Sequence, residues 1–103
     1  MDDEQRARVR LHPIIVVDDR YQGTYSGAQC LAAPEGLNLA ETDAHGSDPA
    51  AMAFFANAAV QALIGMGKTP NDAVRDLIAK TRDLSPGKLK AAIAAVRGLP
   101  HRG

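Results

Sequence analysis

Sulfur-containing and aromatic side chains are scarce in this chain, and each shortage excludes a class of protein. The 103 residues include a single cysteine, Cys30, no tryptophan, and only two tyrosines and two phenylalanines. One cysteine cannot form an intramolecular disulfide or a cysteine-based zinc site, which favours a reducing, cytoplasmic environment. So few aromatic rings leave little stacking surface for single-stranded nucleic acid.

Net charge and long apolar runs are absent as well. The chain has 12 basic and 12 acidic residues and a net charge of zero, which excludes a strongly basic nucleic-acid coat or an acidic tail as its main role. No apolar stretch reaches the roughly 18 residues of a membrane helix, and the acidic N-terminus does not resemble a signal peptide. These features predict a single cytoplasmic domain over residues 1–103, with no membrane contact and with residues 1–10 disordered.

The charges that are present are unevenly distributed along the chain. Residues 1–48 carry nine acidic and four basic residues, whereas residues 49–103 carry three acidic and eight basic residues. Two interpretations follow: the halves attract each other within the fold through weak salt bridges, or one half forms a polar interaction surface. The sequence alone leaves both interpretations open.

β-Branched residues mark the first predicted strand. Ile14–Val17 is a run of four such residues, which favours a strand over a helix. The glycines and tyrosines that follow indicate a turn, and Ala28–Ala33 is predicted to be the second strand. We therefore expect an antiparallel β-hairpin over residues 13–33, with Leu37–Ala40 as a candidate third short strand.

Three helices are predicted in the second half of the chain by their start signals. Each signal combines a capping residue with a proline in the first turn, as in Ser47 with Pro49, Thr69 with Pro70, and Ser85 with Pro86. The first helix is expected over residues 50–66, where apolar side chains recur at helical spacing: Met52, Phe55, Ala59, Leu63 and Met66. The predicted fold class is therefore α+β, with an N-terminal antiparallel β-hairpin packed against a C-terminal three-helix region.

Two motifs suggest ligand chemistry, and each has a structural interpretation that we favour. Gly65–Thr69 resembles the end of a phosphate-binding loop, but it follows a helix instead of a strand, so a helix boundary is the simpler interpretation. A polar loop contains four potential metal ligands, Glu41, Asp43, His45 and Asp48. A capped, solvated loop also accounts for them, because no second histidine lies one helical turn from His45.

No catalytic constellation is evident. Ser26, His45 and Asp43 could be combined into a triad, but no nucleophile-elbow sequence surrounds Ser26. Cys30 lies inside an apolar strand and is expected to be a core residue instead of a nucleophile. We therefore predict that the protein is not an enzyme and that it uses neither a cofactor nor a metal ion.

The segment between the two predicted strands is the most distinctive part of the sequence. Asp18, Asp19 and Arg20 end the first strand, and the two tyrosines of the chain, Tyr21 and Tyr25, follow directly. Tyrosine and arginine are typical of binding surfaces, because they give a large contact area at low entropic cost. These five residues form the predicted partner-binding site. The alternative is that Tyr25 packs on the helices while the neighbouring glycines serve the turn.

The sequence from Ile15 to Gly27 resembles a segment of small accessory proteins of phages and other mobile elements, including proteins of the anti-CRISPR class. The resemblance implies a small inhibitor that occupies a surface of a bacterial CRISPR-type nucleoprotein defence complex, and it transfers no catalytic residue. The expected function is therefore non-enzymatic binding of a host protein or nucleoprotein complex. In this interpretation four acidic residues meet a basic nucleic-acid channel in the partner: Asp18, Asp19, Asp43 and Asp48.

The last two predicted helices indicate an alternative function. They and the C-terminus carry an excess of basic side chains: Lys80, Arg82, Lys88, Lys90, Arg97, His101 and Arg102. Such a surface could contact nucleic-acid phosphates, and residues 70–97 could form a helix-turn-helix. Asp76 and Asp83 interrupt the patch, so a solvated surface is the simpler interpretation. A small DNA-binding regulator is the alternative function, and the oligomeric state is left open.

Overall fold

The sheet at the centre of the molecule is assembled from distant parts of the chain. A computed structural model describes residues 5–6 and 10–100, so most of the residues predicted to be disordered lie outside the described part. Strand β1 (Ile15–Asp18) pairs antiparallel with β2 (Cys30–Ala33), and β2 pairs antiparallel with β3 (Gly65–Gly67). The strand order is β1-β2-β3. The predicted antiparallel hairpin and the α+β class are confirmed.

The third strand is not where the sequence predicted it. Leu37–Ala40 does not form a strand, and Leu39–Glu41 is a 3-10 helix that is followed by a second one, Asp43–His45. The side chains of Asn38 and Thr42 accept hydrogen bonds from backbone amides two residues ahead. Such local bonds offer the backbone an alternative to strand pairing. The third strand comes instead from the helical half of the chain.

The single helix predicted over residues 50–66 is wrong. The structure has two shorter helices, α1 (Asp48–Ala56) and α2 (Ala58–Leu63), and the end of the predicted helix is strand β3. Asn57 makes the break, because its backbone is extended, with φ −74° and ψ 129°, and its side chain accepts a hydrogen bond from the Ala59 amide. Hydrophobic spacing does not report such a break, because apolar residues recur on both sides of Asn57. Met52, predicted to belong to the core stripe, is exposed instead.

The last two helices agree with the prediction. Helices α3 (Pro70–Thr81) and α4 (Pro86–Arg97) begin after Thr69 and Ser85, whose side chains cap the first turn. The segment predicted as a three-helix region thus contains four helices in the described chain. α3 packs on the sheet, whereas α4 packs mainly on α2. Among the described residues, no helix has the length and apolar character needed to cross a bilayer.

Helix α3 approaches one face of the sheet very closely. Residues paired across a sheet share a face, so Val16, Ala32 and Gly65 lie together under α3. A Cβ atom on Gly65 would lie 2.2 Å from the Ala73 carbonyl oxygen, and one on Gly67 would lie 2.5 Å from the Ala73 amide nitrogen. The two glycines therefore permit this contact because they lack a side chain.

One apolar core holds the layers together. It includes β2, which is buried along its whole length, Leu37 near the first 3-10 helix, and Phe55 and Leu63 of the predicted helical stripe. Two large apolar side chains are exposed in the described chain: Ile15 on β1 is 45% exposed and Met52 on α1 is 56% exposed. The core thus centres on β2 instead of on the predicted long helix.

Candidate functional site: the Asp19 loop

The connection from β1 to β2, residues 19–29, is organised by one carboxylate and is called the Asp19 loop here. Asp19 is 4% exposed, and its Oδ1 atom accepts a hydrogen bond from the Tyr21 amide at 3.0 Å. Its Oδ2 atom accepts from the Gly23 amide at 2.9 Å and from the Ser26 hydroxyl at 2.5 Å. A buried carboxylate needs such donors to replace water, and hydrogen bonds to a charged acceptor are comparatively strong. Asp19 thus lies inside the loop and holds its shape.

The backbone of the loop passes through left-handed conformations. Gln22 has φ +53°, Gly23 has φ +94° and Gly27 has φ +77°. Glycine adopts this region without a steric penalty, whereas a residue with a Cβ atom is disfavoured there by roughly 1 kcal/mol. Gln22 is exposed and lies between the two amides that bind Asp19. The Asp19 hydrogen bonds therefore hold the Gln22 backbone in a strained conformation and leave its side chain exposed.

Arg20 and Tyr21 attach the loop to the end of the second 3-10 helix. Nη1 of Arg20 donates to the His45 carbonyl at 2.6 Å, and the Tyr21 hydroxyl donates to the Gly46 carbonyl. The Arg20 guanidinium lies 5.3 Å from the centre of the Tyr21 ring, and the rings of Tyr21 and Tyr25 meet edge to face with their centres 5.2 Å apart. The structure therefore brings Arg20, Tyr21 and Tyr25 into one cluster, and the first two already have partners within the chain.

Tyr25 connects the loop to the start of α1. Burial raises the pKa of Tyr25, and the negative charge of the nearby Asp48 carboxylate raises it further. A raised pKa keeps the phenol protonated and able to donate. Tyr25 is also partly buried against the apolar core, which is the packing role that the sequence offered as the alternative to binding.

Asp18 lies beside the only cysteine. The Asp18 side chain is exposed, and its Oδ1 atom lies 3.9 Å from Sγ of the buried Cys30. Burial raises the pKa of the Cys30 thiol, and the charge of Asp18 raises it further. Because the thiolate is the reactive form, this environment makes Cys30 a poor nucleophile. A polar recess of about 400 Å³ opens here, lined by Asp18, Asp19, Gln22, Gln29 and Cys30.

The residues considered for metal binding or acyl transfer do not form a reactive arrangement. In the part of the chain that the structure describes, no three histidine, cysteine or acidic side chains are grouped so as to hold a metal ion. The Ser26 hydroxyl donates to Asp19, and Nε2 of His45 is buried without a hydrogen-bond partner among the described residues. Nε2 of His45 therefore does not bind the Ser26 hydroxyl as the base of a serine nucleophile would.

The Gly65–Thr69 segment serves packing and capping. Gly65 and Gly67 lie against α3, and the Thr69 hydroxyl oxygen accepts a hydrogen bond from the Asp72 amide at 3.1 Å. The helix-boundary interpretation holds at Thr69. It is wrong at residues 65–67, which form a strand instead of the end of a helix.

The basic side chains of the C-terminal half have different surroundings. Lys80 on α3 forms an ion pair with Asp76 at 2.9 Å. On α4, Lys88, Lys90 and Arg97 are exposed, and no residue that the structure describes forms an ion pair with them. α3 and α4 pack on different neighbours, unlike the two helices of a helix-turn-helix. His101 and Arg102 lie outside the described residues.

A groove of about 500 Å³ runs beside α4. Leu89 and Ile93 contribute to its apolar floor, and Arg10, Lys90 and Arg97 are among the residues that line it. Glu35 lines it as well, so its charge is mixed. The groove combines apolar and cationic groups, but it contains none of the residues predicted to bind a partner on the hairpin.

Comparison with known proteins adds no family to this description, because no family profile, curated protein or solved structure matches the chain. Sequence reasoning placed Asp19 among the binding residues and missed its role as the acceptor that shapes the loop. The available signal was an aspartate at the start of a glycine-containing turn, where its side chain accepts backbone amides. The carbonyls of His45 and Gly46 give no sequence signal, because every residue has a carbonyl group.

Proposed function

We propose that the protein is a non-enzymatic binding protein that presents the Asp19 loop to a macromolecular partner. The observation that supports this proposal most is that an exposed loop is shaped in advance by hydrogen bonds. Asp19 accepts three of them, and Arg20 and Tyr21 donate to carbonyls of the 3-10 region. A loop that is ordered before binding loses little conformational entropy when the partner arrives.

The loop exposes polar side chains at its tip and its base. Gln22 and Thr24 are exposed at the tip, Arg20 is exposed beside them, and Asp18 is exposed at the base. The strained backbone of Gln22 is of the kind that clusters at ligand-binding sites. In this proposal Asp18, Arg20, Gln22 and Thr24 contact the partner, while Asp19 supports them from inside the loop.

The resemblance of residues 15–27 extends this proposal to an inhibitor of a bacterial CRISPR-type nucleoprotein complex. Of the acidic residues considered for a basic channel, Asp19 and Asp43 are buried, whereas Asp48 is exposed near Tyr25. Asp18 is exposed as well, so Asp18 and Asp48 are the two of these acidic residues that a partner can reach. This choice of partner rests on the resemblance alone.

A site-specific crosslink tests the general proposal. The photoreactive residue benzoylphenylalanine at Gln22 is expected to give a discrete covalent adduct in cells that encode the protein, and mass spectrometry of the adduct would identify the partner. The same substitution at Ala79, which is exposed on α3, serves as the control. An adduct from Ala79 without one from Gln22 would contradict binding through the Asp19 loop.

An inhibition assay tests the CRISPR-type partner separately. Purified protein is titrated into purified RNA-guided nuclease complexes of several types, and cleavage of target DNA is measured. One type is expected to lose cleavage near equal molar amounts, and Asp18→Lys should slow the onset of inhibition because it removes an attractive charge. Full cleavage by every type at a large molar excess would exclude this partner and leave the loop proposal to the crosslinking result.

A DNA-binding regulator is the second candidate, favoured by the charges of α4. The helix carries Lys88, Lys90 and Arg97 and no acidic residue. If these side chains bind phosphates, affinity for duplex DNA should fall with salt, and replacing all three by glutamine should flatten that dependence. Fluorescence anisotropy over a salt series measures both effects, with Lys68→Gln, exposed just before α3, as the control. The absence of salt-dependent binding would exclude this function.

A further inference from the structure

One outer edge of the sheet is closed by side chains of α3. The Met66 amide of β3 donates to Oδ2 of Asp76 at 2.8 Å, and the Ile64 carbonyl accepts from Nζ of Lys80 at 2.8 Å. Asp76 and Lys80 also form an ion pair at 2.9 Å. The Met66 amide and the Ile64 carbonyl, which point away from β2, are therefore occupied, and this hinders pairing of β3 with another strand.

The other outer edge, that of β1, is open. The Asp19 amide donates to the Gln29 carbonyl at 2.8 Å, and hydrogen bonds between antiparallel strands recur at every second residue, so Val17 faces β2. Val16 and Asp18 therefore direct their amides and carbonyls away from β2. No residue that the structure describes forms a main-chain hydrogen bond with them on that side.

Apart from Asp18 at its end, the β1 edge also lacks the residues that usually protect an exposed edge. Residues 14–17 contain neither a charge nor a proline, and Ile15 is 45% exposed. Proteins commonly block such edges with lysines, prolines or bulges, because unpaired strands bind other strands. β1 thus combines free hydrogen-bonding groups with exposed apolar surface.

We propose that a second copy of this chain pairs with the first along β1, antiparallel, about a two-fold axis at Val16. In this register the amide and carbonyl of Val16 bond to those of Val16 in the second copy. Asp18 bonds in the same way to Ile14 of the second copy. On the other face, Ile15 lies opposite Val17 of the second copy, so the exposed apolar side chain gains an apolar neighbour.

Charge and symmetry favour a second copy as the occupant. The net charge of the chain is zero, so two copies do not repel each other at long range. The two Asp18 carboxylates lie at opposite ends of the paired strands and are not directly opposed. Because α3 side chains occupy backbone groups on the β3 edge in each copy, we expect pairing to stop at a six-stranded sheet and to give a closed dimer instead of a fibre. This inference does not depend on the proposed function.

Sedimentation equilibrium over a concentration series tests the dimer. The average mass of the wild-type chain is expected to rise from the monomer's 10.9 kDa towards twice that value. Ile15→Lys should weaken self-association at least tenfold, because it places a charge on the edge. Met52→Lys is the matched control, since it replaces another exposed apolar side chain on α1, and it should associate like the wild type.

Two results would overturn the proposal. One is a wild-type chain that remains monomeric at millimolar concentration. In that case a strand of another protein would be the remaining candidate to pair with β1. The other is equal loss of association in Ile15→Lys and Met52→Lys, which would mean that general surface hydrophobicity drives it.

A disulfide experiment tests the two-fold axis. In a Cys30→Ala background, Val16→Cys places two thiols across the axis, where the Cα atoms of a hydrogen-bonded pair lie about 5.5 Å apart. That separation suits a disulfide, so oxidation should give a covalent dimer quickly. Ile15→Cys faces Val17 of the second copy and should crosslink at least tenfold more slowly. Faster crosslinking of Ile15→Cys would overturn the proposed axis.

Discussion

The Asp19 loop and the contact between β3 and α3 are held in place by opposite means. In the loop, one buried carboxylate satisfies three donors. In the contact, Gly65 and Gly67 have no side chains, and the α3 backbone fills the space. A hydrogen-bonded network loses stability in steps as single bonds are removed, whereas a close backbone contact cannot accept even one added carbon atom without displacement. The comparison indicates that the loop can change its exposed residues more freely than β3 can change its glycines.

The largest effect is expected from Gly65→Ala. The added Cβ atom would lie 2.2 Å from the Ala73 carbonyl oxygen, so α3 must move, and the free energy of unfolding should fall by about 3 kcal/mol. Urea denaturation measures the change. Gly87→Ala is the control, because no atom outside its own part of the helix lies within 4 Å of the added Cβ, and the variant should be at least as stable as the wild type. Equal stability of the two variants would show that β3 and α3 are not in close contact.

Asp19→Ala should have the next largest effect. The substitution leaves the Tyr21 and Gly23 amides and the Ser26 hydroxyl without their acceptor, and the free energy of unfolding should fall by about 2 kcal/mol. Hydrogen exchange at the Gly23 amide should accelerate as well. Asp18→Ala is the matched control, since Asp18 is exposed, and it should change stability by less than about 0.5 kcal/mol. A larger loss in Asp18→Ala would contradict the role assigned to Asp19.

A smaller effect of opposite sign is expected from Gln22→Gly. Glycine relieves the left-handed strain at φ +53°, and the greater freedom of glycine in the unfolded chain offsets part of that gain, so stability should rise by about 0.5 kcal/mol. Thr24 is also exposed in the loop but has no positive φ, so Thr24→Gly should lower stability. Thermal denaturation of the two variants provides the comparison. Destabilisation by Gln22→Gly would mean that its side chain stabilises the loop.

The smallest effects concern pH. The pKa of Cys30 is raised by burial and by Asp18, so alkylation by iodoacetamide should titrate above the ordinary thiol pKa of 9.0. Asp18→Asn should move that titration to lower pH because it removes a neighbouring negative charge. An unchanged profile in Asp18→Asn would contradict the electrostatic contribution.

The same pKa shifts predict weaker folding in alkali. The pKa values of Tyr25 and Cys30 are raised in the folded chain, so both groups ionise first in the unfolded chain. The stability linked to their neutral forms is present below their ordinary pKa values and is lost as pH rises from those values through the raised ones. The urea midpoint should therefore decrease with pH in this range, and less so in Cys30→Ala. An increase would contradict the direction of the shifts.

Sequence predicted the elements whose signals are local. The β-branched run before Asp18 gave β1, and the caps at Thr69 and Ser85 gave the starts of α3 and α4. Gly65-Met66-Gly67 has no strand propensity of its own, and it becomes β3 because β2 pairs with it and α3 needs its missing side chains. The predicted long helix is interrupted at Asn57, which caps the second of the two shorter helices. Hydrophobic spacing does not reveal such a cap.

The residue composition identified the region of the candidate site, but it did not show which side chains of that region face inward. Arginine and tyrosine in a turn predicted a binding site within residues 18–25, and the structure places these residues in and beside one loop. Which side chains face inward depends on long-range partners, such as the His45 and Gly46 carbonyls. The position of these carbonyls depends on how the two 3-10 helices pack against the loop. No sequence pattern within the hairpin specifies that packing.

The position of β3 has a consequence for how the chain folds. Leu31 of the central strand pairs with Val17 nearby and with Met66 far along the chain. Closing that long loop is entropically unfavourable until α1 and α2 have packed, and a two-stranded hairpin alone is only marginally stable. The acidic N-terminal half therefore should not fold without the rest of the chain. We therefore expect a proteolytic cut between α2 and β3 to unfold the hairpin together with the helices, as in a single cooperative unit.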